Sequence, residues 1–232
     1  MMSTRATPKD VNLLTVGQVQ ALADAMPPRH RLLVLLAAWC GLRFGELTAL
    51  RRRDIDVVEG TITVEQAAVT VGGTRMITTP KSAAGRRTVY LPPHLLDDVT
   101  SHLTEFTRPG LDSLVFPGTD GLPVTPGQVY GHVPRPRGKR KRVHAGTGFY
   151  RARAEIGRPD FRFHDLRHFA ATMAAISGAT TKELMQFAGH SDITVAMRYQ
   201  EAVNDRKREL AQRMTALATP APSSTSVTRT TP

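Results

Sequence analysis

Nine consecutive apolar residues, Leu32 to Cys40, set the first constraint on what this chain can become. A segment that is apolar on every side makes a stable helix only when other elements wrap most of its faces. Crossing a bilayer takes about twenty such residues, so the run predicts a core helix over 29–41, stopped at Gly41, and no membrane partner. Cys40 closes the run as the only cysteine, which rules out an internal disulfide and a cysteine-built metal cage. It reads as a small buried hydrophobe.

The flanking pattern supplies the wrapping. Thr15 and Gln18 form a capping box ahead of an apolar pattern that runs to Met26, and Pro27-Pro28 end that helix. Leu42 to Leu50 reads as another helix. From Ile55 to Leu91 the period changes: Ile62-Thr63-Val64, Val69-Thr70-Val71, Met76-Ile77-Thr78 and Thr88-Val89-Tyr90 are β-branched runs divided by Glu59-Gly60, Gly72-Gly73 and Ser82 to Gly85. They predict a small antiparallel sheet of about three strands. Pro92-Pro93 open a helix to about Phe106, followed by a Gly- and Pro-rich loop to 127. Helical signals return near 147–156, 164–178, 180–188, 191–200 and 203–217, with Leu166, Phe169, Met173 and Ile176 joining Leu32 to Trp39 in the core. The expected class is α+β, mainly α-helical, with one folded domain over 14–217 between flexible segments at 1–13 and 218–232. Met1 to Asp10 lack the succession of a secretory signal, and the expected address is the cytoplasm, in association with the nucleoid.

Charge narrows the partner. Lys plus Arg number 31 against 20 Asp plus Glu, a net +11, and neutralising phosphates releases counterions. Residues 121–154 hold no acid. Within them Arg135, Arg137, Lys139, Arg140, Lys141 and Arg142 form an exposed basic loop, expected with Arg86 and Arg87 to contact the phosphates of double-stranded DNA.

Five segments combine basic side chains with tight local grammar: Gly41-Leu42-Arg43-Phe44-Gly45-Glu46-Leu47, Thr79-Pro80-Lys81-Ser82 before Gly85-Arg86-Arg87, His164-Asp165-Leu166-Arg167-His168, Ala188-Gly189-His190-Ser191, and Met197-Arg198-Tyr199. Singly, each is weak. His164 and Arg167, three apart, share a helix face and could converge on one phosphate, but an isolated His-x-x-Arg equally suits a solvated polar face. His164 and His168 have the i, i+4 spacing of zinc proteases without the glutamate beside the first histidine, and the cationic Arg167 between them opposes a metal.

The order is specific where the parts are not. His-x-x-Arg follows Arg43 by about 120 residues, Gly189-His190 comes 23 residues after Arg167, and Tyr199 stands nine after His190. From about Leu14 to Arg213 the chain strongly resembles the catalytic domain of the tyrosine recombinases, the phage-integrase family. The resemblance implies that Arg43 and Arg167 hold a scissile phosphate and that His164 accepts the nucleophile's proton. It further implies that His190 donates to a phosphate oxygen, Lys81 protonates the leaving 5′ oxygen, and Tyr199 attacks to give a 3′-phosphotyrosyl link. No metal, ATP or other cofactor is implied, and the chain lacks a phosphate-binding Gly-x-x-x-x-Gly-Lys-Ser/Thr loop. Glu46, Asp165 and His168 resemble supporting positions, while Tyr90, Tyr130 and Tyr150 lack the preceding Gly-His element and are weaker nucleophile candidates.

The chain departs from the family in two places. Family members usually carry an N-terminal helical domain that clamps the opposite face of DNA, whereas only about 14 residues precede the catalytic pattern here. The region from Val124 to Pro159 is also looser than the family's. The helix expected over Ala202 to Ala216 would, by the resemblance, dock on a neighbouring subunit bound to the same DNA. Two other readings stay open at this level: a DNA-binding remnant or regulator without productive recombination, and a phosphodiesterase that uses water and leaves Tyr199 idle.

Overall fold

In the computed structural model, residues 13–79, 86–131 and 147–188 are described. The helices expected at 191–200 and 203–217, the basic loop, the C-terminal segment and all of the N-terminal segment except Leu13 lie outside them. The first three helices are α1 (Val16–Asp24), α2 (Pro28–Trp39) and α3 (Phe44–Ala49). The capping box at the start of α1 is present, with Thr15 Oγ1 accepting from the Gln18 amide at 3.1 Å and Gln18 Oε1 accepting from the Thr15 amide at 3.0 Å. Pro28 opens α2, where a missing N–H costs nothing. Every side chain from Leu32 to Ala38 is buried, and α2 packs against α1, α3, α4 (Leu96–Glu105) and α7 (Asp165–Ile176). Each enclosed leucine contributes roughly 1.5–3 kcal/mol of burial. The apolar run is thus the axle of the fold.

The β region is divided. Strands β1 (Ile55–Asp56), β2 (Thr61–Val64) and β5 (Arg87–Tyr90) form a three-stranded antiparallel sheet in the order β1-β2-β5, with Ile55 opposite Ile62 and Ile62 opposite Val89. Among the described residues, strands β3 (Ala67–Val71) and β4 (Thr74–Thr78) pair only with each other. The expected single sheet is therefore corrected to a three-stranded sheet plus a separate hairpin. The hairpin turns at Gly72-Gly73, both at positive φ, which suits a two-residue turn. Its base rests on α3, where a Cβ at Gly45 would stand 2.7 Å from the Ala68 carbonyl oxygen. That close seat takes β3 away from the sheet edge. The hairpin's Val69, Val71 and Met76 are exposed.

Further along, α5 (Pro126–Tyr130) interrupts the expected loop, and α6 (Gly148–Glu155), α7 and α8 (Thr181–Ala188) fall where the helical signals placed them. Phe44, Tyr130, Phe149 and Phe163 make an aromatic cluster with ring centroids 5.4–5.8 Å apart, joining α3, α5 and α6. Cys40 is fully buried, and burial pushes its thiol pKa up to about 12, so it behaves as a hydrophobe. Ile176 is a correction: it ends α7 and is half exposed, because it points away from the side of the last turn on which Ala175 is buried against Leu184 of α8. Among the described residues no helix is long and apolar enough to cross a membrane.

Candidate active site

The corner between α2 and α3 is built around a glycine and a carboxylate. Gly41 adopts φ +63°, and an added Cβ would stand 2.9 Å from the Phe187 ring of α8 and 3.4 Å from Ala170 of α7. Arg43 caps α3, with its backbone N–H donating to Glu46 Oε2 and its Nη1 donating to Glu46 Oε1, both at 2.8 Å. The Arg43 side chain is 39% exposed and that of Glu46 only 5%. The carboxylate sits inside and turns the guanidinium to the surface.

Glu46 holds a second arginine. Arg87 of β5 donates Nη1 to Oε1 at 3.1 Å and Nη2 to Oε2 at 2.9 Å, while its Nε donates to the Phe187 carbonyl at 3.1 Å. Burial alone would raise the Glu46 pKa. The Arg87 hydrogen bonds and charge outweigh that, helped by Arg43, and bring it down to about 2.

The third component is the start of α7. Asp165, buried in the first turn where the helix dipole favours an anion, accepts the Arg162 backbone N–H at 3.0 Å and the Arg162 guanidinium at 2.8 Å. This fixes how the chain enters the helix, and so where His164 and Arg167 point. Arg167 is buried and donates Nη1 to the Gly41 carbonyl, two residues before Arg43. His164 lies at the surface, edge to face with His168 at 5.3 Å between centroids. Partial desolvation, then repulsion from His168 in its protonated form and from Arg167, push its pKa below the ordinary imidazole value. At neutral pH it is a neutral ring able to accept a proton.

Three of the residues singled out by sequence, Arg43, His164 and Arg167, thus belong to one corner. Lys81, His190, Tyr199 and the loop arginines and lysines Arg135, Arg137, Lys139, Arg140, Lys141 and Arg142 lie outside the described residues. Arg86 is exposed, as a DNA contact would need. Arg87 is a correction: its side chain is 7% exposed and three of its donors meet protein acceptors, so it does not face solvent with Arg86. Strand alternation carried the signal, since Arg87 shares a face with buried Val89 while Thr88 and Tyr90 are exposed. Glu46, read only as a supporting position, is the hub. Of the other tyrosines, Tyr90 stands exposed on β5, and burial followed by the Tyr150 charge pushes Tyr130 up to about 12, which opposes a phenolate there.

Gly41→Ala is expected to destabilise the protein by about 2 kcal/mol, combining left-handed strain with a crowded ring. Urea denaturation checks it, and a change below about 0.5 kcal/mol, the size of a neutral surface substitution, would show that the corner yields easily.

Comparison with known proteins identifies the fold and the family. Residues 12–206 match the phage integrase family. The chain is 41% identical over 206 residues to a putative prophage phiRv2 integrase of Mycobacterium tuberculosis, covering 88% of this chain and 51% of that protein. It is 37% identical over 213 residues to the integrase of Mycobacterium phage D29, covering 90% of this chain and 53% of that one. It therefore spans about half the length of these curated relatives. The Tn1549 transposon integrase, solved with circular intermediate DNA, shares the fold with a TM-score of 0.69 at 20% identity, covering 89% of this chain and 68% of that one. The helix-rich architecture with small antiparallel sheets and the ordered residues around the Gly41 corner have one common explanation: the chain belongs to the phage integrase family.

Proposed function

We propose that this chain is the catalytic part of a site-specific DNA recombinase that cleaves and rejoins double-stranded DNA through Tyr199. The observation that carries the reading is the Arg167 bond to the Gly41 carbonyl, which binds the His-x-x-Arg turn to the loop that presents Arg43. That tie would let two guanidiniums and a neutral imidazole converge on one phosphodiester, as its reaction needs.

In the proposed step the Tyr199 phenolic oxygen bonds to phosphorus and the bond from phosphorus to the 5′ oxygen breaks. The phenol proton passes to His164, and Lys81 donates a proton to the leaving 5′ oxygen. Arg43, Arg167 and His190 hold the equatorial oxygens as negative charge grows on them. A tyrosine pKa near 10 is too high for attack at neutral pH without such an acceptor and field. One phosphoester replaces another, so the 5′ hydroxyl of a partner strand can reverse the step without a nucleotide. Chain association on DNA through Ala202 to Ala216 and phosphate contacts from the basic loop belong to the same proposal.

The test is a pool of nicked duplexes with randomised cores, in which loss of the short 5′ fragment traps the covalent stage. A denaturant-resistant complex is expected, with mass spectrometry placing the nucleotide adduct on the peptide containing Tyr199. An adduct on another residue, or cleavage without an adduct, would reject the nucleophile and favour hydrolysis by water. Binding without either product would favour a regulator that keeps the fold.

A further inference from the structure

We infer that Arg87 is a positioning residue of the proposed reaction: through Glu46 it sets the Arg43 guanidinium, and through the Phe187 carbonyl it secures the end of α8 to the same point. The inference rests on the recombinase reading above. It assigns Arg87 a role that neither its charge nor its place beside Arg86 suggests.

The connections are direct. The Glu46 carboxylate has two oxygens, and both guanidiniums use them, Arg43 on Oε1 and Arg87 on Oε1 and Oε2. Two cations on one enclosed carboxylate balance each other, and Arg43 is held at the surface without being drawn wholly inward. Remove Arg87 and, among the described residues, Arg43 is the cation left on Glu46; the carboxylate is then free to swing on its own side chain, and the Arg43 guanidinium bonded to it at 2.8 Å swings with it. Arg87 is itself rigid, because its backbone pairs opposite buried Val64 and three donors of its planar fork are fixed.

The same fork reaches two other motifs. Arg87 stands six residues after Lys81 in the chain, and Phe187 stands three before His190. Phe187 also packs on Gly41, whose carbonyl accepts from Arg167. One side chain therefore links the strand after the lysine, the helix leading to the second histidine and the carboxylate behind the first arginine. An error of about 1 Å in such a group can lower a rate about 100-fold.

The experiment compares wild type with Arg87→Met and Arg87→Lys on the nicked duplex selected by the trapping assay. At saturating protein the single-turnover rate of adduct formation is expected to fall about 10- to 100-fold in both, since lysine has no planar fork, by analogy with residues that orient catalytic ligands. DNA affinity should stay within twofold, and the dependence of log affinity on log salt should be unchanged. Hydrogen exchange in the peptide 184–190 should quicken in both variants, a readout that needs no DNA.

A salt slope reduced by about 0.9, the value of one lost phosphate contact, with an intact rate would make Arg87 a DNA contact and overturn the inference. So would a lower melting temperature with an unchanged rate per folded molecule, which is all a structural role moves. Should wild type itself form no adduct, the recombinase reading fails. The exchange arm then still decides whether the tie to α8 exists.

Discussion

Arg167→Lys is expected to slow adduct formation about 100- to 1000-fold, the loss seen when one preorganised oxyanion donor is removed, while leaving the protein folded. Arginine offers five N–H donors in a rigid plane, and Arg167 gives one of them to the Gly41 carbonyl. Lysine keeps the charge but concentrates it in one ammonium, which cannot hold that carbonyl and also address a phosphate oxygen from a fixed direction. Ground-state affinity for DNA is spread over many basic groups, so binding should weaken far less than the rate. Single-turnover kinetics with a separate binding titration check this. A rate within tenfold of wild type would mean that Arg167 serves the fold alone.

The contrast between rate and binding follows from where the positive charge is. The net charge of +11 attracts DNA as a whole, but several arginines spend their donors inside the protein. Arg52 donates to the carbonyls of Leu103, Thr107 and Arg108, joining the segment before β1 to the end of α4. Arg158 reaches the Leu13 carbonyl at 2.9 Å and Arg153 that of Phe161 at 2.6 Å. Arg31 bridges Asp24 and Asp98. Composition counts these as potential phosphate contacts, and geometry removes them. Arg87 was misassigned for the same reason, although the alternation of β5 held the correction.

Features set by near neighbours in the chain were the legible ones. The α1 capping box, the buried α2 run, the glycine stop and the limits of α6, α7 and α8 depend on residues within one or two turns. The division of the β region depended on a contact between Gly45 and Ala68 that no local pattern reports. The short helix at Pro126–Tyr130 was hidden in a Pro- and Gly-rich stretch, although Thr125 and Gln128 carry the same capping signature as Thr15 and Gln18. At the site, order along the chain singled out Arg43, His164 and Arg167, but it could not reveal that Glu46 is shared. Sharing is a property of three elements meeting, and only Arg43 is close to Glu46 in sequence.

That shared carboxylate makes the second large prediction. Glu46→Gln keeps shape but removes the negative charge from between two guanidiniums, one of them nearly enclosed. Breaking one side of a buried pair typically costs about 3–5 kcal/mol, because the remaining charge has no compensation, and a loss of about 3 kcal/mol is expected at pH 7. The direction with pH is fixed by the native pKa of about 2 against an ordinary value of 4.5. A carboxyl depressed on folding stabilises fully above its unfolded pKa, and that contribution is lost as pH falls toward the native one. The difference corresponds to roughly 3 kcal/mol, in line with the mutational figure. The gap between wild type and Glu46→Gln should therefore be widest at pH 5–7 and shrink by more than half at pH 3, where unfolded Glu46 is mostly protonated. Urea titrations at the three pH values measure it. A gap that stays constant down to pH 3 would mean that Glu46 acts through its shape and not through its charge.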